Sequence, residues 1–345
     1  MTAEQAQLAS AEKTWLSRHD PISRLRATLD AAPVSVDADA VTHAAESGLL
    51  ALLTSDMGGS HADLAVATEA HGYAASSMPL ADLVIGTWLL SIADLPQAAA
   101  ASEGELLVGL AHGLIVSPRP GSWHLQGQSK PIPMASDMDR FVVVCEDADG
   151  EYAAMVDAVV VQPMATLDIT RTWSRLSLDE SSAEWVRLPA GTVSLVRDAV
   201  AVHRAIDSIG AASRLLEMTV NYARQREQFG APIGSFQAVK HHCADMALSV
   251  EAGRSVCWAA AVALNGDPPD RSRAAAAACA YSKSAASRVA GTALQVHGGI
   301  GFTWEHDLHL FLRRIKVNEA FDGSVAMHRA ALVAMHDPRM AAGHG

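Results

Sequence analysis

The sequence predicts a mainly α-helical protein with a β segment in its middle: helices first, then short strands, then a four-helix bundle. Three observations predict this. Half of the 345 residues are hydrophobic and 19 % are charged, enough apolar side chain for a large core and too little charge for general disorder. The texture changes twice, from Ala- and Leu-rich to β-branched and aromatic near residue 104, and back near 191. Glycine and proline punctuate both changes. At roughly 100–200 residues per domain, the length fits two or three domains. The boundaries fall at 1–103, 104–190 and 191–345.

In the first segment Pro33, Gly58-Gly59 and Ser76-Ser77-Met78-Pro79 are the breaks. Asp37 or Asp39 is placed to N-cap a helix over 41–53. Helical periodicity resumes at His61. In the second segment the runs 106–110, 114–116, 123–128, 141–145, 152–156 and 159–161 read as strands. Pro118, Pro120, Gly121, Asp149-Gly150 and Pro163 are the turn residues between them, and Trp123-His124-Leu125-Gln126 alternates as a half-buried strand does. The spacing predicts a small antiparallel barrel or sandwich. In the third segment Ile206, Ile209, Leu216 and Val220 mark one apolar face of a helix. Further helices are expected over 237–265, 273–296 and the last forty residues. Short loops at Gly266-Asp267-Pro268-Pro269 and His297-Gly298-Gly299 would make them antiparallel neighbours.

Several function classes recede on composition alone. A formal net charge of −12 disfavours nucleic acid and anionic membranes as main partners. The four cysteines, Cys145, Cys243, Cys257 and Cys279, have no CxxC spacing, which suits reduced thiols rather than a disulfide frame or a zinc site. The first fifteen residues show neither a basic n-region nor an apolar h-region, so no signal peptide and a cytoplasmic location are expected. The apolar run 80–95 is interrupted by Asp82 and Asp94 and is short for a membrane span, so no membrane insertion is expected.

Three stretches carry chemistry. In YARQREQFGAPIGSFQAVK (222–240), a helix, a Gly-Ala-Pro turn and a new helix bring together Arg226, Gln228, Phe229, Ile233 and Phe236. Arg226 offers bidentate donors for a phosphate, and the phenyl rings can stack on a planar ring. The same residues equally suit a surface ion pair and core phenylalanines. In QVHGGIGFTWEHDLHLFLRR (295–314), Gln295 closes a helix, and Gly298 and Gly299 allow close backbone approach by a ligand. An ordinary helix C-cap reads the same way, and no βαβ context supports a Rossmann site. His297, His306 and His309 lack acidic or thiol partners at ligand spacing, so no metal is expected. In the third stretch, Asp322-Gly323-Ser324, a desolvated carboxylate would have a raised pKa and act as a base. Asp322 capping the next helix is the other reading.

Taken together, these residues resemble the acyl-CoA dehydrogenase family nearly end to end. The resemblance implies a helical N-domain, a β middle domain and a four-helix C-domain, with FAD in a cleft between subunits. It implies removal of the α-proton of an acyl-CoA thioester, hydride transfer to the flavin, and electron-transfer flavoprotein as acceptor. By the same resemblance Arg226, Gln228, Phe229, Ile233, Phe236, Gln295, Gly298 and Gly299 touch the adenosine and pyrophosphate of FAD held mainly by the neighbouring subunit.

The flavin half departs from the family pattern. Thr-Glu-Pro and Gly-Ser-Asp are missing, and Lys130-Pro131-Ile132-Pro133-Met134-Ala135 stands where Trp-Ile-Thr is usual. Two prolines remove backbone donors from the flavin edge. The family's catalytic Glu is Asp322, one methylene shorter, and the alternative base position falls at about Val200. The expectation is one subunit of a heteromeric, α2β2 flavoprotein oxidoreductase of lipid metabolism, paired with a paralogous acyl-CoA dehydrogenase chain and acting on bulky or steroid-derived acyl-CoA. The alternatives are a self-sufficient homotetramer with Asp322 as base, and a non-catalytic scaffold subunit.

Overall fold

A computed structural model describes residues 1–19, 21–29, 33–119, 122–157, 160–181 and 185–336. Six helices open the chain: α1 (Ala3–His19), α2 (Pro21–Thr28), α3 (Ala38–Glu46), α4 (His61–Ala74), α5 (Leu80–Ile92) and α6 (Ala98–Ser102). Asp37, not Asp39, caps α3, its side chain accepting from Asp39 N–H. That helix begins earlier than the sequence predicts and ends at Glu46 instead of reaching residue 53. Gly48 (φ +73°) takes the left-handed turn that stops it, and Met57 Cε lies where a Cβ would be. Ser60 and Asp63 form a reciprocal capping box that starts α4.

Strands β1 (Val108–Ala111), β2 (Ile115–Arg119), β3 (Ser122–Gln128), β4 (Ile132–Pro133), β5 (Arg140–Glu146), β6 (Glu151–Val156), β7 (Val160–Met164), β8 (Trp173–Ser181) and β9 (Val186–Arg187) follow. Among the described residues they form one sheet in the order β1-β5-β6-β9, and a second of β2, β3, β8 and β4 with β7 on β8. The pairing is antiparallel except that β1 runs parallel to β5, a departure from the all-antiparallel expectation. Strand β5 shows how the two cores are divided. Phe141, Val143 and Cys145 enter the core between the sheets, while Val142 and Val144 join the helical core. Strand β8 is not evident in the sequence, because Ser, Arg and Asp interleave its apolar residues. It holds the second sheet together by pairing with β3, β4 and β7. The expected turn at Pro120-Gly121, Val159 at the start of the last expected strand, and the end of the last expected helix beyond 336 lie outside the described residues.

The third part comprises α7 (Thr192–Gln225), the two-residue strands β10 (Glu227–Gln228) and β11 (Ala231–Pro232), α8 (Gln237–Ala263), α9 (Pro268–His297), α10 (Leu308–Ala320) and α11 (Val325–His336). The predicted single apolar face of α7 understates its burial. Every residue from Ala199 through Ala212 is buried, because α4, α8, α9 and α10 surround this helix. Two glycines permit the closest approach: a Cβ at Gly72 would lie 2.2 Å from Asp207 O, and one at Gly210 2.2 Å from Glu69 O. Burial pushes the thiols of Cys145, Cys257 and Cys279 up to about 12. No helix among the described residues is long and apolar enough to cross a membrane.

Candidate functional site

Helix α7 ends at Gln225 and is capped by Arg226, whose N–H donates to Tyr222 O at 2.8 Å. The chain then makes a minimal hairpin in which Glu227 pairs with Pro232 and Gln228 with Ala231. Phe229 and Gly230 are its two central residues, both with positive φ (55° and 78°), the pattern of a type I′ turn. Asn or Gly is usual at the first of these positions, and a phenylalanine there costs about 1–2 kcal/mol. The strained turn lifts the Phe229 ring to 95 % exposure. Phe236, 39 % exposed, meets that ring edge-to-face at 6.2 Å. Ile233, half-buried, donates its N–H to Arg226 O at 2.7 Å and closes the loop.

The second motif lies beside the first. Tyr222, one turn before Arg226, stacks on His297 at 4.5 Å, and His297 lies just beyond Gln295 at the end of α9. Gly298 caps that helix with φ +61° and ψ −140°, and neither Gly298 nor Gly299 has anything within 4 Å of a Cβ position. Arg226, Gln228, Phe229, Gln295 and Gly299 are all exposed. Among the described residues the Arg226 guanidinium has no ion pair, whereas Gln228 donates to the neighbouring Glu227 carbonyl. Cation, amides, rings and open glycine backbone thus share one edge of the bundle, and these are the groups a nucleotide pyrophosphate and its base require. His297 and His306 meet edge-to-face at 4.7 Å, and His309 packs on Trp304; no cluster among the described residues could hold a metal ion.

Asp322 lies elsewhere, in a buried charge cluster. It has φ +56° and is followed by Gly323 at +94°. Lys283 Nζ supports this bend by donating to Phe321 O at 2.5 Å and Gly323 O at 2.8 Å. Asp322 Oδ2 accepts from Arg204 Nε at 3.1 Å, and the same guanidinium donates to both oxygens of Asp82 at 3.1 and 3.3 Å. Arg204 lies 4.9 Å from the Trp173 ring, whose edge meets Phe321. His112 Nε2 is 3.9 Å from Asp322 Oδ1, an oxygen with no hydrogen-bond partner among the described residues.

The pKa direction reverses the one expected of a desolvated carboxylate. Burial pushes the Asp322 carboxyl up, but Arg204, His112 and Lys283 outweigh it, and the group lies below the ordinary carboxylate range. Nor does Asp322 cap the next helix; Ser324 Oγ accepts from Met327 N–H instead. Val200, the other base position, is buried on α7 one turn before Arg204. A space of about 10 Å³ lies between Asp82, Arg204, His203 and Asp207, at most the room of one water. Below it Arg314 grips Asp207 through two bonds (2.6 and 2.9 Å), joined by Arg171 and Asn318.

Where a flavin ring would need donors, Pro131, Ile132, Pro133 and Met134 are buried in the chain's own fold. Met134 N–H donates to Thr172 O, and β4 is paired to β8. The residues present fit the nucleotide end of FAD but not its ring. Asp82, Arg204, Asp207 and Arg314 escaped the sequence reading. Their signal is a set of charges inside otherwise apolar helices.

The profile of the acyl-CoA dehydrogenase C-terminal domain matches residues 199–335. Acyl-CoA dehydrogenase IpdE2 of Mycobacterium tuberculosis is 36 % identical over 263 residues, covering 74 % of this chain and 72 % of that protein. The chain is a member of the acyl-CoA dehydrogenase family. Its three-part architecture is the acyl-CoA dehydrogenase fold, and membership carries an oxidoreductase role in a family that is FAD-dependent in general. IpdE2 of Mycolicibacterium smegmatis is 35 % identical, over 74 % of this chain and 73 % of that protein. Among solved structures, a Tcur3481–Tcur3483 steroid acyl-CoA dehydrogenase variant matches with TM-score 0.87 and 23 % identity, over 98 % of this chain and 99 % of the other. The ChsE4–ChsE5 complex of M. tuberculosis matches with TM-score 0.87 and 22 % identity, over 98 % of each chain. At such identities the likeness is one of fold.

Proposed function

We propose that this acyl-CoA dehydrogenase is one subunit of a heteromeric, α2β2 enzyme. It lends Arg226, Gln228, Phe229, Ile233, Phe236, Gln295, Gly298 and Gly299 to FAD held mainly by a paralogous partner. The observation that carries the proposal is the contrast between the two halves. The edge that carries Arg226, Phe229 and Gln295 is open, and Arg226 has no ion pair among the described residues, whereas Asp322, the expected base, is buried and taken up by Arg204, which also holds Asp82.

In this reading Arg226 binds the pyrophosphate, Phe229 and Phe236 pack on the adenosine, and the glycine turn lets backbone N–H groups come close. Bound FAD supplies the acceptor for the substrate's β-hydrogen. Asp322 moves no proton, and α-proton removal falls to the partner. The likeness in fold to the ChsE4–ChsE5 complex and to a steroid acyl-CoA dehydrogenase supports pairing, and a bulky acyl-CoA as substrate. Electron-transfer flavoprotein is the acceptor in the same reading.

The test is flavin stoichiometry. The chain expressed alone is colourless, and co-expression with a neighbouring acyl-CoA dehydrogenase-like chain gives one FAD per pair. Arg226→Ala lowers FAD retention by the complex about tenfold or more, as expected for a hydrogen bond to a charged group worth ~1.5–3 kcal/mol. A homo-oligomer carrying one FAD per chain defeats the proposal. An Arg226→Ala complex that holds FAD as the parent does makes the chain a scaffold.

A further inference from the structure

We propose that the space beneath α1 is a second binding site, for an amphiphile with an apolar body and one carboxylate. A cavity of about 530 Å³ lies between α1, α4, α7 and α8, within the ~300–1,000 Å³ range of small-molecule sites. Its walls include Val66, Ile206, Ile209 and Trp258.

The way α1 is held explains why the space stays open. Gln5, Ala9 and Glu12 share one helical stripe, at i, i+4 and i+7. Gln5 Nε2 donates to Asp63 at 2.9 Å. Glu12, buried, pairs with His43 through one oxygen and His71 through the other, at 2.9 Å each. Two polar anchors therefore set the height of α1. Between them the residue on the cavity lining is Ala9, whose methyl group cannot fill the gap. Leu8, Trp15 and Leu16 also pack α1 onto the core, but it cannot settle further onto Val66 and Trp258 without breaking the Glu12 bridge.

Charge at the rim selects the head group. Glu69 pairs at 2.8 Å with Arg254, which also pairs with Glu251 outside the lining. Lys13, also on the lining, has no carboxylate partner among the described residues; its ammonium lies 5.6 Å from the Tyr73 ring centroid. Lys13 thus sets an ammonium with no carboxylate partner among the described residues beside an apolar chamber, which suits a carboxylate on a hydrocarbon body.

The site needs no flavin, so it stands or falls apart from the reading above. Decanoate and 1-decanol are titrated against the full chain by calorimetry, below the micelle concentration of decanoate. Both bind at one site. Lys13→Ala weakens decanoate roughly threefold, the worth of one exposed ion pair, and leaves decanol unchanged. Ala9→Phe fills the chamber and weakens both at least tenfold. Ser255→Trp fills it from the α8 wall and does the same, which decides the matter where Ala9→Phe does not fold. No saturable decanoate binding to the parent chain overturns the proposal. So does a folded Ala9→Phe or Ser255→Trp variant that binds as the parent does, or a Lys13→Ala variant that loses decanol as much as decanoate.

Discussion

Replacing Asp322 by Asn separates a structural carboxylate from a catalytic one. The Asp322 and Arg204 side chains are each 3 % exposed, so the change removes a charge from a site water does not reach. Removing one partner of a buried ion pair costs about 3–5 kcal/mol. Arg204 keeps its two bonds to Asp82, so Asp322→Asn belongs near 3 kcal/mol. Arg204→Met strands both carboxylates and belongs near 5 kcal/mol. At about 2 °C per kcal/mol for a large domain, the two variants lower Tm by about 6 and 10 °C. Asp82→Asn leaves Arg204 a single bond, to Asp322, and falls between the other two. The assay is thermal melting of the complex, together with turnover per folded complex at a temperature where all variants are native. Turnover stays within a few-fold of the parent. An Asp322→Asn variant that melts like the parent but loses about 10²–10⁴ in turnover, the usual worth of a general base, refutes the structural reading.

Acid destabilises the chain through the buried pair His61 Nδ1···His203 Nε2, 3.2 Å apart. Burial first, and then Arg271, lowers the His61 pKa to about 4; burial, His61 and Arg204 hold His203 well below 6.5. The unfolded chain binds these protons at about 6.5, so stability is complete above that pH and falls between 6.5 and 4, by up to ~1.4 kcal/mol per unit for each histidine. His203→Gln reduces the slope measured by urea melts from pH 7.5 to 5. Glu12→Ala leaves His43 and His71 without their carboxylate, releases α1, and speeds amide exchange there well before global unfolding; unchanged protection would contradict the anchoring role. Phe229→Asn suits the type I′ turn better and raises the Tm of the isolated chain by about 2 °C, at ~1 kcal/mol of relieved strain. The same change weakens FAD retention by the complex, and a loss of Tm would contradict the turn assignment.

Local chemistry was legible in part. The alternation of textures, a cap at Asp37 or Asp39 and a turn soon after Arg226 depend on near neighbours and could be read from the chain alone; the sequence reading does not single out the Ser60–Asp63 box, and Pro268, expected in a loop, opens α9. The full burial of α7 could not, because a helix enclosed by four others has no polar face for periodicity to reveal. Strand β8 depends on pairing with β3 and β4, about forty to fifty residues earlier, as well as with the preceding β7.

Asp322 is the sharpest case. Sequence determines that a carboxylate precedes Gly323. Whether it holds its proton or loses it depends on Arg204, 118 residues away, and on Asp82 beyond that. Electrostatic energy in a low-dielectric interior falls with distance in space, not with separation along the chain. Only the tertiary structure sets that distance, and with it the charge that Asp322 carries.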